Sequence, residues 1–192
     1  MRRGRLIVVS GPSGAGKSTL IGAALDAIDG LVYSVSATTR EPREGEVDGR
    51  DYVFLSREEF EEWISEERFL EWAEYSGNLY GTPEQSVEEC LRSGLSVILE
   101  IELQGARKVR QKRPDAVMIF VRAPNLEETR KRLEGRATEN SEALEARMTT
   151  ALSEVAAMNE FDHEVVNDER ERALEDMIRT IENIVEGGAE NA

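Results

Sequence analysis

The stretch Gly11-Pro12-Ser13-Gly14-Ala15-Gly16-Lys17-Ser18 constrains this chain more than any other. It fits the spacing GxxxxGK(S/T), a loop whose glycines let successive backbone N–H groups turn inward around phosphate oxygens while the next helix adds the positive end of its dipole. With average residue usage the fixed positions coincide on the order of once in 10⁵ starting points, so chance does not account for them. The flanks agree: Leu6-Ile7-Val8-Val9 is a short β-rich run, and Thr19-Leu20-Ile21 permits a helix. Strand, tight loop and helix in that order commit the chain to an α/β fold that binds a nucleoside triphosphate. Lys17 is then expected at the terminal phosphates and Ser18 at a Mg²⁺ ion.

A chain of 192 residues can bury one proper core, with inserted lobes rather than a second independent domain. Its 39 acidic against 24 basic residues leave a formal charge of −15, which argues against general affinity for nucleic acid or an anionic membrane. Arginines that handle phosphate must therefore be clustered locally. A single cysteine, Cys90, excludes an internal disulfide and fits a reducing compartment; it reads as a small apolar residue on a helix. Too few apolar residues follow Met1-Arg2-Arg3-Gly4-Arg5 for a signal peptide, and no apolar run approaches the ~20 residues of a membrane span. The expectation is a cytoplasmic protein.

Along the chain, apolar spacing predicts a helix over 19–28 and a strand over 31–36, leading into Thr38-Thr39-Arg40-Glu41-Pro42-Arg43. Pro42 keeps Glu41 extended, so Arg40 and Arg43 are either solvated loop charges or two ends of one anion clamp. Residues 44–55 read as short strands joined by polar turns. Ser56 with Glu59 forms a capping box for a helix whose apolar stripe is Phe60, Trp63 and Ile64. In the alternating run 69–75, Glu71 is either a solvated strand residue or an acceptor in a pocket. Residues 76–83 read as a turn-rich loop before a helix over 84–92. A buried strand over 95–101 ends in Glu100-Ile101-Glu102, and acids at the carboxyl end of such a strand lie where open α/β sheets bind ligands and assist Mg²⁺. A helix over 103–112, a strand over 116–121, a helix over 125–133, a long helix over 142–160, a short strand over 163–168 and a terminal helix over 169–185 complete a βα alternation that argues a parallel sheet. Arg130, Lys131, Arg132, Arg136 and Arg147 supply the local positive cluster, and 135–142, poor in apolar residues, reads as a lid. His163, the lone histidine, has no second ligand in view for a metal or base role. There is no internal repeat.

These segments together resemble the guanylate kinase family over nearly the whole chain. The resemblance rests on Ser10 to Ser18, on Ser34-Val35-Ser36-Ala37-Thr38-Thr39-Arg40-Glu41-Pro42-Arg43, on Gly45 to Tyr52, on Phe69-Leu70-Glu71-Trp72-Ala73, on Tyr80-Gly81-Thr82 and on Val165-Val166-Asn167-Asp168. It implies a three-layer P-loop NTPase fold with a central parallel sheet, an inserted mixed GMP-binding lobe and a helical lid. The implied division is a core of 1–33, 84–133 and 148–186, a lobe of 34–83, a lid of 134–147 and a tail of 187–192.

The resemblance also implies Mg²⁺-dependent phosphoryl transfer from ATP to GMP, and to dGMP, within purine nucleotide metabolism. Lys17, Arg136 and Arg147 carry the implied catalytic role. Gly11, Pro12, Ser13, Gly14, Ala15, Gly16, Lys17, Ser18, Thr19, Arg132 and Asn167 are the implied ATP contacts. Arg40, Arg43, Tyr52 and Tyr80 would hold the GMP phosphate, with Ser36, Glu71, Thr82 and Glu102 around the guanine. Ser18 would ligate Mg²⁺, and Glu100 would assist through water. The implied partners are small nucleotides, with neither monomer nor homo-oligomer favoured.

Two positions depart from the family pattern: Glu102 stands where Asp is usual, and Ala137 where the lid usually has Gly. Three competing readings are weaker. A sister kinase with another acceptor does not suit Ser36, Glu71 and Thr82, and a peptide-binding scaffold does not suit an intact Lys17-Ser18. A GTPase switch needs an Asn-Lys pair, and no lysine in this chain follows an asparagine.

Overall fold

The computed structural model of the chain describes residues 2–134 and 141–187. The N-terminal half runs β1 (Leu6–Ser10), α1 (Lys17–Ala27), β2 (Leu31–Tyr33), β3 (Ala37–Thr38), β4 (Val53–Phe54), α2 (Arg57–Ser65), β5 (Phe69–Tyr75) and β6 (Asn78–Pro83). There follow α3 (Glu84–Arg92), β7 (Ser96–Glu100), α4 (Leu103–Lys112), β8 (Val117–Arg122) and α5 (Leu126–Glu134). The chain ends in α6 (Ser141–Ala156), a 3₁₀ turn (Met158–Glu160), β9 (His163–Val166) and α7 (Arg170–Gly187).

Five strands form a wholly parallel sheet in the order β2-β7-β1-β8-β9. Every residue of β1 is buried, because successive side chains point to opposite faces and both faces are covered. Ile7 and Val9 join Leu20, Ile21 and Ala24 of α1 and Ala173, Met177 and Ile181 of α7 in one apolar layer. Leu6 and Val8 join Val87 and Leu91 of α3 and Ala106 and Val109 of α4 in the other. Each such side chain taken fully from water contributes roughly 1.5–3 kcal/mol. The sheet centre thus carries the fold and leaves its carboxyl edge free to be polar. The expected three-layer α/β architecture is present.

A second, mixed sheet has the order β4-β3-β6-β5, with β3 parallel to β4 and β5, β6 and β3 antiparallel in turn. Here the structure corrects the reading of 76–83 as a loop. Only Ser76 and Gly77 turn, both at positive φ (50° and 78°), which is the two-residue geometry that reverses a hairpin without splaying its strands. From Asn78 the chain is a strand, paired with β5 from Tyr75↔Asn78 to Phe69↔Pro83. Cross-strand pairing outweighs the turn-forming residues Gly81 and Pro83.

The strand expected over 31–36 stops at Tyr33, and a new one begins at Ala37 in the other sheet. Within 44–55 the only strand is β4; before it the chain turns, with Val47 N–H donating to the Asp51 side chain at 2.8 Å, and the Asp48 side chain reaches across to accept from Phe54 N–H of β4 at 2.9 Å. The helix expected over 142–160 breaks at Ala156. The capping box at α2 forms as read, and buried Phe60 of that helix stacks on Phe69 with centroids 4.4 Å apart. The lid segment 135–140, with Arg136 and Ala137, lies outside the described residues, as does the tail from 188.

Candidate active site

β1 ends at the centre of the parallel sheet, and the loop 11–16 springs from its carboxyl edge into α1. Gly11 (φ 141°) passes so close to β8 that a Cβ would run into the Val121 carbonyl oxygen. Gly16 (φ 89°) leaves no room beside the Asn167 side chain. Within the loop, Ala15 N–H donates to the Pro12 carbonyl oxygen at 3.1 Å. The Lys17 ammonium donates to the carbonyl oxygens of Gly11 (2.6 Å) and Pro12 (3.2 Å).

Partners from distant elements fasten this cradle. The Asn167 amide donates to the Ala15 carbonyl oxygen at 2.7 Å, and Arg132 of α5 donates to the Asn167 carbonyl oxygen at 2.9 Å while pairing with Glu128. Arg147 of α6 donates to Ser13 Oγ at 2.9 Å. The Ser18 hydroxyl donates to Glu100 Oε1 at 3.0 Å, because the register Val9↔Glu100 between β1 and β7 sets that carboxylate beside the loop.

On the other side, the mixed sheet and its loops gather the remaining residues. Arg40 is held bidentately by Glu46 (2.8 and 3.0 Å), whose carboxylate also accepts from Arg43 N–H at 2.7 Å. The Arg40 guanidinium lies 5.3 Å from the Tyr52 ring centroid, and the Tyr52 and Tyr80 rings meet edge to face at 6.3 Å. Glu46, then burial acting against it, then Tyr80 shape the Arg40 pKa, whose net direction is up.

Glu71 of β5 and Thr82 of β6 stand opposite each other, and the Thr82 hydroxyl donates to Glu71 Oε1 at 2.7 Å. Glu71 is 8% exposed. Burial pushes its carboxyl above the usual range, Thr82 opposes the shift and the Glu102 charge adds to it. Ser36 is half-buried between β2 and β3.

Glu102 is in place and is also a helix cap. Its two carboxylate oxygens accept from the backbone N–H groups of Gln104 (2.6 Å) and Gly105 (2.8 Å) at the start of α4. A Cβ at Gly105 would come within 3.0 Å of Glu71 and 3.5 Å of Glu102, so glycine there lets both acids approach one spot.

The two sides face a cleft of about 890 Å³, lined by loop residues including Lys17, Ser18 and Thr19, by Glu100 and Glu102, by Thr150 and Glu154 of α6, and by Tyr33, Tyr52 and Tyr75. Arg40, Arg43, Glu71 and Thr82 stand outside that lining. Sequence reasoning missed Glu46, which orders both arginines, and Glu154. For Glu154 a signal existed, since Arg147, Thr150 and Glu154 recur at one-face helical spacing.

Such a loop facing a clamp of arginine, tyrosine and carboxylate fits a small phosphorylated substrate beside a triphosphate. The guanylate kinase family model matches residues 3–184. The chain belongs to the guanylate kinase family. A guanylate kinase of Rubrobacter xylanophilus is 77% identical to it over 188 residues, covering 98% of each chain, and one of Synechocystis is 49% identical over 179 residues, covering 93% of this chain and 94% of the relative. The solved structure of guanylate kinase from Anaplasma phagocytophilum superposes with a TM-score of 0.73 at 33% identity, over 98% of this chain and 87% of that one. No helix among the described residues is long and apolar enough to cross a membrane.

Proposed function

We propose that this chain transfers the γ-phosphoryl group of ATP to GMP, giving ADP and GDP, and acts likewise on dGMP because the proposed acceptor contacts are to base and phosphate. The observation that carries the reading is one cleft lined by the phosphate loop together with Tyr52 and Glu102. Phosphoryl transfer asks for positioning and charge neutralisation rather than a strong base. A phosphate oxygen of GMP attacks the γ-phosphorus in line, and the bond to the bridging oxygen of ADP breaks.

In this reading Lys17, Arg147 and Arg136 neutralise the migrating group. Residues 11–19 cradle the ATP phosphates, with Arg132 and Asn167 beside the donor nucleotide. Arg40, Arg43, Tyr52 and Tyr80 hold the GMP phosphate. Glu71, with Ser36, Thr82 and Glu102, reads the guanine: N1–H and N2–H are adjacent donors that one carboxylate accepts together, and adenine offers no such pair. The division into core, GMP lobe (34–83) and lid (134–147) belongs to the same reading.

Ser18 Oγ and Glu100 Oε1, 3.0 Å apart, are the hard oxygen donors that suit Mg²⁺. Ser18 would hold the ion directly and Glu100 through water; when bound it supplies charge neutralisation between the β- and γ-phosphates. The lone Cys90 and the acidic balance support a cytoplasmic setting.

A coupled ADP-release assay comparing GMP, dGMP, AMP, CMP and UMP tests the proposal. Turnover of GMP and dGMP far above the others is expected. AMP turnover equal to that of GMP removes the guanine assignment, and no turnover of any nucleotide removes the reaction.

Glu46 gives a second test. Its two oxygens hold one guanidinium nitrogen of Arg40 and one of them also holds the Arg43 backbone N–H, so its loss lets both arginines drift. Glu46→Gln is expected to raise KM for GMP about 5–10-fold with KM for ATP within about twofold, measured by initial rates. Equal changes in both constants would remove Glu46 from the acceptor side.

A further inference from the structure

Arg147, Thr150 and Glu154 are separated by three and four residues, which puts them on one face of α6. That face lies over the phosphate loop: Arg147 donates to Ser13 Oγ at 2.9 Å, and Thr150 and Glu154 line the cleft together with Lys17, Ser18, Glu100 and Glu102. Glu154 is half-buried. Its carboxylate shares the cleft lining with Lys17, whose charge attracts it, and with Glu102, whose charge repels it.

A negative charge on the wall of a cleft built for phosphates needs a physical reason. Fold stability does not supply one. Burial lifts the Glu154 carboxyl above its ordinary range, Lys17 opposes this without cancelling it, and Glu102 adds to it. A carboxyl raised in the folded state stabilises the fold when protonated, and that contribution is lost as pH rises through the folded value. Once ionised, the side chain therefore opposes folding. Its use lies in what it faces.

Lys17 Nζ, with three N–H donors, donates to the loop carbonyls of Gly11 and Pro12 at 2.6 and 3.2 Å. A carboxylate across the cleft draws that ammonium outward, to where a terminal phosphate would meet it. We propose that Glu154 is a positioning residue that sets the Lys17 ammonium for the phosphoryl group in flight. The proposal rests on the reading that Lys17 grips that group.

Glu154→Gln keeps the shape of the side chain and removes its charge. The expected result is a kcat for GMP phosphorylation lowered about tenfold, KM for GMP within about twofold, and a melting temperature near neutral pH no lower than that of the parent. Glu154→Asp, which restores the charge on a shorter stem, recovers a clear part of the lost kcat. An unchanged kcat in Glu154→Gln, an activity loss that comes with a lower melting temperature, or an Asp variant no better than Gln overturns the proposal. If the parent protein itself fails to turn over GMP, the parent reading of the site falls and this one with it. A working parent with an indifferent Glu154 sinks this proposal alone.

Discussion

Lys17→Ala is expected to cut kcat for GMP phosphorylation on the order of 10²–10³-fold while the protein stays folded. A positioned charge aimed at a developing anionic transition state in a water-poor cleft is worth about 2.7–4 kcal/mol, which is that factor. Lys17 is half-buried at the first turn of α1, and its ammonium donates to the carbonyl oxygens of Gly11 and Pro12. Those bonds are worth about 1 kcal/mol each net, and a chain of this length loses roughly 2–4 °C of melting temperature per kcal/mol. The core contacts of α1, through Leu20, Ile21 and Ala24, are untouched. Circular dichroism and a melt beside the kinetics separate the two effects, and retained turnover would refute the role given to this lysine.

Glu71→Gln is the second large effect, and here activity and stability move in opposite directions. In the proposed role the ionised carboxylate accepts two guanine N–H groups, whereas a Gln amide would set its own donor against one of them. An unpaired buried polar group costs about 1–3 kcal/mol, so kcat/KM for GMP is expected to fall roughly 10–200-fold and the margin over AMP to shrink.

The stability sign follows from burial. The Glu71 carboxyl is raised, chiefly by desolvation, with Thr82 opposing and the Glu102 charge adding. Its favourable contribution is full below the unfolded carboxylate pKa and is lost as pH rises through the folded value. Near neutral pH the variant should therefore melt at or above the parent, and its relative gain should diminish as the pH is lowered. In the same acidic window the parent's KM for GMP should rise as Glu71 takes up its proton. Melting curves against pH, beside KM against pH, check both signs. A variant less stable at neutral pH and unchanged with GMP would make Glu71 a structural residue.

Much of this was legible in the chain, for identifiable reasons. The loop 11–18, the buried runs of β1, β7 and β8, and the capped start of α2 are local signals whose physics is complete within a few residues. What escaped was set by partners far away in sequence. Gly81, Thr82 and Pro83 read as turn formers because nothing nearby announces β5 as their pairing partner. Residues 44–52 looked like part of a strand run, but Asp51 takes the Val47 N–H that a neighbouring strand would have paired.

Among the site residues, Glu71 was ambiguous until its opposite neighbour Thr82 and the opening at Gly105 gave it a buried place. Glu102 carries a second task, capping α4, that a glutamate seldom announces. Glu46 escaped because a loop carboxylate six residues after an arginine follows no helical or strand period.

The cradle that receives the triphosphate is written near the start of the chain but is not finished there. Asn167 closes on Ala15, and Arg132 in turn holds Asn167, so positions 152 residues apart are joined at the cradle itself. While the protein is being synthesised, a growing chain that has already made Gly11 to Ser18 still lacks the residues that brace them. The brace on the loop therefore forms only once β8 and β9 have joined the sheet. A truncated product that stops short of Asn167 carries the whole phosphate motif and still lacks the side chain that closes it.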